Sequence, residues 1–291
     1  MTISAALVKK LRDVSGAGMM DAKKALIETQ GDMEAAIDWL RSKGLSKAAK
    51  KSGRIASEGL IGVNVIAGSG IVVEVNSETD FVAKNANFQE MVTNISSIAS
   101  NHEDIESLKQ AEINGVSITD FVADKVAQIG ENITLRRLKK IDGVHISSYV
   151  HNSVAPNMGK IAVLVSMSVD NAELGRQIAM HIAATNPMSL SEEDLDPKLI
   201  EREKLIFTQQ ARDSGKPDNI IENMIKGRLN KYFEEVTLLK QKFVINPDIT
   251  VGKALNLAGA KILQFVRLEV GEGIEKKEED FAAEVQKTIG G

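Results

Sequence analysis

Along this chain the spacing of apolar residues switches between a helical and a strand-like period, and the switches divide it. From residue 4 to about 45 the period is helical. Leu7, Val8, Leu11 and Val14 form one stripe behind Ser4, Ala22, Ala25, Leu26 and Ile27 a second, and Ala36, Ile37 and Leu40 a third behind Asp32. Gly16, Gly18, Gly31 and Gly44 punctuate the stripes. Three short helices are predicted over residues 1–45. Such a unit is near the lower limit for independent folding and has too little core to bury Met19, Met20 and Trp39 together. Residues 46–54, with Lys47, Lys50, Lys51 and Arg54 and no acid, read as a basic linker.

The period then becomes two. Gly59 to Ile66 and Ile71 to Val75 flank Ala67-Gly68-Ser69-Gly70 and predict a hairpin. A polar corner, Asn76 to Thr79, leads to Phe81 and Val82, and Asn87 with Glu90 offers a capping-box start for a helix carrying Phe88, Met91, Val92, Ile95 and Ile98. Ile118, Phe121, Val122, Val126 and Ile129 mark a further helix, and Ile133 to Leu138 a strand. From His145 the same order returns: strand, turn, strand from Ile161 to Val169, polar corner, then a helix with Leu174, Ile178, Ile182 and Ala183. That repetition implies an internal duplication, with core subdomains at 55–140 and at 141–186 plus 228–263. The second corner, Asp170-Asn171-Ala172-Glu173, has no Phe. A purely structural device should appear in both copies, so Asp80-Phe81 is a functional candidate. On local sequence alone the other reading stays open, in which Phe81 tucks under its own helix as most Phe do.

Residues 187–227 return to the helical period. Asp196-Pro197 starts one stripe, Ser214-Gly215-Lys216-Pro217 turns the chain, and Ile220, Ile221, Met224, Ile225, Leu229 and Phe233 give another, so an antiparallel helical hairpin is expected, with its domain bounded at 187–227. Residues 264–291 read as a C-terminal module, with Val266, Leu268 and Val270 alternating like a strand and Phe281, Val285 and Ile289 on one face of a last helix. The fold class is α+β.

Composition narrows the chemistry. The chain has 291 residues, enough for several domains, and no Cys, which removes disulfides, thiol catalysis and Cys-based zinc sites. The net charge of −4 and 4% aromatic content suit a protein partner better than direct nucleic-acid binding. No P-loop and no nucleophile elbow occurs, and His102, His145, His151 and His181 lack metal-ligand spacing. No catalytic residue, metal or cofactor is expected. With no signal-peptide core and no apolar run near the roughly 20 residues that span a bilayer, a cytoplasmic protein without membrane contact is expected.

Three strings add a likeness. Thr79-Asp80-Phe81-Val82, inside Asn76 to Asn85, resembles the signature of the bacterial translation elongation factor Ts family. So do Leu11-Arg12 with Gly16-Ala17-Gly18-Met19-Met20-Asp21-Ala22-Lys23-Lys24-Ala25-Leu26, and Ile225-Lys226-Gly227-Arg228-Leu229-Asn230-Lys231-Tyr232. The resemblance implies a guanine nucleotide exchange factor that binds the GDP form of elongation factor Tu and loosens Mg²⁺ and GDP. It implies that Thr79, Asp80, Phe81 and Val82 act near the partner's Mg²⁺. Under it, the first module resembles a ubiquitin-associated domain docking on the partner's nucleotide-binding domain, with Arg12, Met19, Met20, Lys23 and His151 as further contacts. The hairpin becomes a projecting coiled coil that can carry a homodimer. Two other readings are a small-molecule enzyme using Asp80 or a histidine, and RNA binding through Lys43 to Arg54.

Overall fold

Ser4 and Asp32 cap the helices they precede, as short polar side chains do when they accept from free N–H groups of a first turn. Ser4 accepts from Leu7 N–H at the start of α1 (Ala5–Ser15), and Asp32 accepts from Glu34 and Ala35 N–H at the start of α3 (Met33–Lys51). These belong to a computed structural model that describes residues 3–213 and 217–275. With α2 (Met19–Glu28) they enclose a small core of Val8, Leu11, Ala22, Ala25, Leu26 and Ala36. Val14, Met19, Met20, Ile27 and Ile37 remain exposed.

Gly44 does not end the third helix. α3 runs on to Lys51, so most of the segment read as a basic linker is helical. The reason is tertiary: a Cβ at Gly44 would lie 3.0 Å from Asp124 Oδ1, so the glycine is where α3 approaches another helix closely. That helix is α7, described below. The cations of the stretch find acceptors, Lys47 pairing with Asp21 and Lys51 donating to Gly130 O.

The body follows in chain order. β1 (Glu58–Ile66) and β2 (Ser69–Ser77) form a hairpin, followed by the short α4 (Asp80–Ala83) and by α5 (Ala86–Ala99). Asn85, not Asn87, caps α5 by accepting from Asn87 N–H. Then come α6 (Ile105–Gln110), the small pair β3 (Glu112–Ile113) and β4 (Val116–Ser117), α7 (Ile118–Ile129) and β5 (Ile133–Asp142). β6 (His145–Ala155) and β7 (Met158–Met167) make a second hairpin, and α8 (Ala172–Thr185) follows. α9 (Pro197–Asp213) and α10 (Asp218–Val236) come next, then β8 (Lys242–Phe243), β9 (Asn246–Thr250), α11 (Val251–Leu257) and β10 (Ile262–Glu269).

One antiparallel sheet joins both hairpins, in the order β10-β7-β1-β2-β5 with β6 also on β7. The join is narrow: β1 meets β7 only at Ile61–Gly159 and Gly62–Met158. Successive side chains on a strand point to opposite faces, and both faces here are covered. Leu60, Ile71, Val73 and Val75 pack with Phe88, Met91, Val92, Leu108 and Val126 of the outer helices. Ile61, Val63 and Val72 point the other way, into a core shared with Ala162, Leu164 and Leu268 of the second half. Val163 and Val165 then face Ile178, Ile182, Val251 and Leu255. Burial on both faces is why these strands read as nearly continuous apolar runs.

Three further boundaries differ from the sequence reading. The hairpin does not end at residue 227: its second helix follows the apolar stripe past Phe233 to Val236, so residues 228–236 leave the second core region. Residues 264–269 are not part of a separate C-terminal module, because β10 pairs along β7 from Ile262–Met167 to Glu269–Ile161. The backbone groups of β10 that face β7 find their partners there. The strand beginning at Ile133 runs to Asp142 rather than stopping at Leu138. The turn residues Ser214 to Lys216 and the expected helix of Phe281, Val285 and Ile289 lie outside the described residues. α9 and α10 pack on each other, with Ala211 and Ile221 buried and Arg228 hydrogen-bonded to Gln210, while Leu205, Ile206 and Ile220 are exposed.

His181 is buried on α8. Its Nδ1 accepts from Val244 N–H at 3.2 Å, and its Nε2 lies 2.9 Å from Gln241 Oε1. An accepting Nδ1 requires the neutral ring protonated on Nε2, and burial pushes the imidazole pKa down. It is a packing residue.

Candidate functional site

At the end of β2 the chain leaves the sheet by a corner that is held on every side except one. Thr79 is in the N-cap position of α4, yet its hydroxyl does not cap the helix. It donates instead to Glu131 Oε1 at 2.6 Å, while Thr79 N–H donates to Glu131 Oε2 at 2.9 Å. One carboxylate thus takes both bonds, and charge-assisted bonds of this kind are about twice as strong as neutral ones. Ser77 Oγ donates to Thr79 O, and Glu78 Oε1 accepts from Asn132 N–H at 2.5 Å. Behind the corner, Gln89 Nε2 donates to Ala83 O at 3.1 Å. Val82 and Ala83 are buried beneath it among Leu60, Val75 and Phe88.

The open side carries Asp80 and Phe81. The Phe81 ring is 75% exposed, whereas Phe88 seven residues on is fully buried. Lys84 brackets both: its Nζ is 3.3 Å from Asp80 Oδ2 and 5.8 Å from the Phe81 ring centroid. Asp80 also sits in the first turn of α4, where a negative charge is favoured by the helix dipole. An exposed aromatic on a backbone fixed by buried residues and charge-assisted bonds is not a loop that failed to find a core. The ring is exposed on a rigid backbone, and rigidity of that kind lowers the ordering cost of any association.

Of the residues the sequence singled out, the structure brings together Thr79, Asp80, Phe81 and Val82, but with different positions. Val82 faces the core and Thr79 is the clamp, so Asp80 and Phe81 alone offer side-chain surface. Arg12, Met19, Met20 and Lys23 are all exposed on α1 and α2, with Met20 at 76%. His151 is on a different element, exposed on β6 with Tyr149 Oη 3.2 Å from its Nδ1. Glu131, Lys84 and Asn132 were missed, because their roles depend on partners that the local pattern does not reveal. A cavity of about 370 Å³ lies between the N-terminal helices and α7, lined in part by Trp39, Arg41, Lys43, Asp124 and Gln128. Its charges largely answer one another, with Arg41 paired to Asp120 and Lys43 over the Trp39 ring, and burial pushes the Asp124 carboxyl up. Among the described residues no cluster of His, Asp or Glu could hold a metal ion, and no helix is long and apolar enough to cross a membrane.

A second signal was present in the sequence. Glu74 is a lone carboxylate inside the run Ile71 to Val75, and it is fully buried. The β2–β5 ladder slips between Glu74–Arg137 and Val75–Leu135, so Arg136 is an extra residue. A bulge of this kind lets two consecutive side chains reach one point, which a regular strand forbids. Arg136 and Arg137 both bond Glu74, as do Asn76 Nδ2 at 2.9 Å and Gly271 N–H at 2.8 Å. The same arginines hold the end of the described chain, Arg136 donating to Glu272 O and Arg137 to Glu269 O.

Mixed helices and strands, with matches among factors of protein synthesis, place this chain among the translation elongation factors. The family model described as Elongation factor TS matches residues 78–272. A protein of Paracoccus denitrificans named Elongation factor Ts is 63% identical over the whole of both chains. Proteins of the same name from Dinoroseobacter shibae and Roseobacter denitrificans are each 60% identical, again over the full length of both. The chain belongs to the elongation factor Ts family.

Proposed function

We propose that this protein is a guanine nucleotide exchange factor: it binds elongation factor Tu in its GDP form and promotes release of Mg²⁺ and GDP so that GTP can bind. The observation that carries the reading is Phe81, exposed on a clamped corner in a chain of this family. Phe81 and Asp80 press on the partner near its Mg²⁺ and phosphates, Thr79 and Val82 hold them in place, and no covalent step or cofactor is involved. The protein is then not an enzyme in the sense of bond chemistry. The N-terminal helices form a ubiquitin-associated-like module that docks on the partner's nucleotide-binding domain through Arg12, Met19, Met20 and Lys23. His151 makes a separate contact from the second half. Pairing of Lys47 and Lys51 within the protein supports a role without direct nucleic-acid binding, and the work is done in the cytoplasm.

The test is release of labelled GDP from elongation factor Tu on addition of the full-length protein. Release should accelerate strongly, and no acceleration would refute the function. Changing Met19→Ala and Met20→Ala together should weaken stimulation about three- to tenfold while leaving the melting temperature nearly unchanged, since both side chains are exposed. Wild-type stimulation by that variant would remove the docking role of the first helices.

The helical hairpin, by the same reading, is a coiled coil that carries self-association. Leu205 is exposed on α9, and Leu205→Glu should shift sedimentation toward monomer without slowing exchange. Unchanged sedimentation together with lost exchange would reverse that assignment.

A further inference from the structure

The Thr79–Glu131 pair is unusual in its economy. An N-cap Thr ordinarily spends its hydroxyl on its own helix. Here that oxygen and the backbone N–H of the same residue are both turned 52 positions along the chain, to the two oxygens of one carboxylate. The next residue is Asp80 and the one after it Phe81. Two bonds at one residue fix both its position and its rotation about the chain axis, so Glu131 sets the direction in which α4 leaves the sheet.

Glu131 is itself held in a short turn between α7 and β5. Gly130 closes α7 in the left-handed region, with φ +91°, which a residue without a Cβ adopts readily. Asn132 N–H donates to Glu78 Oε1, and Asn132 Nδ2 donates to Arg54 O at 2.7 Å. On the other side, Lys51 Nζ donates to Gly130 O and Gln128 Nε2 to Ser15 O at 3.1 Å. The residues from Gln128 to Asn132 therefore bond both the corner and the N-terminal helices.

We propose that Glu131 is a positioning residue for exchange: it never touches the partner's nucleotide, but aims Phe81 and, through its turn, fixes that aim relative to the N-terminal helices. The inference rests on the proposed exchange function and on Phe81 as its contact. Loss of the clamp leaves α4 free to sample several directions, and only the fraction in the competent one can bind productively.

The experiment follows stimulated GDP release from elongation factor Tu with full-length wild type, Phe81→Ala, Glu131→Ala, Glu131→Gln and the Phe81→Ala/Glu131→Ala pair. Amide hydrogen exchange at Thr79 is measured in the free protein. Glu131→Ala should slow stimulated release about tenfold and speed hydrogen exchange at Thr79, and Glu131→Gln, whose amide oxygen still accepts one bond, should be affected less. Because Glu131 acts through Phe81, the pair should be no more than about twofold slower than Phe81→Ala alone, as coupled residues are. A merely structural Glu131 would give multiplied losses, and that result overturns the proposal. So does wild-type release by Glu131→Ala while Phe81→Ala is slow. Wild-type release by both single variants overturns the reading of the corner and this proposal with it. Should Glu131→Ala fold poorly, Thr79→Val removes only the hydroxyl bond and must slow release in the same direction; wild-type release by it overturns the proposal equally.

Discussion

Phe81→Ala should slow stimulated release of GDP by an order of magnitude or more and leave the melting temperature of the protein where it was. Burying a Phe side chain contributes roughly 1.5–3 kcal/mol, which is about ten- to 150-fold in an equilibrium constant. In the free protein the ring is exposed, so its removal takes little from the fold. It forfeits the contact with Lys84, worth about 0.5–1 kcal/mol at an exposed site. On the proposed function, the ring is the apolar surface of the corner that the partner buries. Mg²⁺ requires near-ideal octahedral ligands, so a small displacement of the groups around it weakens the nucleotide. By linkage, the corner can promote release only if it binds the nucleotide-free partner better than the GDP-bound one, and Phe81 is where that difference is expected to arise. Release rates measured beside a thermal melt decide the matter. A melting temperature lowered by many degrees would mean that the ring is core, and wild-type release would mean that it is idle.

Glu74→Leu should destabilise the protein by about 3 kcal/mol, at the lower end of what breaking a buried ion pair costs. It sits at the lower end because Arg136 and Arg137 keep their bonds to Glu272 and Glu269 and some access to water. The Gly271 N–H loses its acceptor as well, which loosens the last described turn from the sheet. The pH dependence follows from the direction of the shift. Burial pushes the Glu74 carboxyl up, but the Gly271 N–H, the Asn76 amide and the Arg137 guanidinium outweigh it and hold it below its ordinary value. A carboxyl depressed in the folded state contributes stability that is fully present above its unfolded pKa, about 4.3, and is lost as pH falls through the lower folded value. The resistance of the wild type to chemical denaturation should therefore fall below about pH 4, and Glu74→Gln should flatten that acid limb. An acid limb identical in wild type and Glu74→Gln would show that other carboxylates govern it.

The parts of this molecule that follow from neighbours a few residues apart were legible in the sequence. The helical stripes, the two hairpins, the caps at Ser4, Asp32 and Asp196 and the polar corner before Phe81 all depend on contacts or dihedral preferences within one or two turns. The lack of catalytic motifs and the three family strings could also be read from residue identities. Other features were settled only when distant segments met. Gly44 looked like a stop and became a contact, because Asp124 lies against it. Local sequence left Phe81 open between core and surface. Its exposure is fixed by Val82 and Ala83 taking the space beneath α4 and by Glu131 gripping Thr79 from 52 residues away. Glu74 was an anomaly in an apolar strand until a bulge delivered two arginines to it and Gly271, 197 residues later, supplied an N–H. A buried charge must be paired, but a linear pattern does not say with what, since pairing is decided by which backbones the folded sheet brings within hydrogen-bond reach.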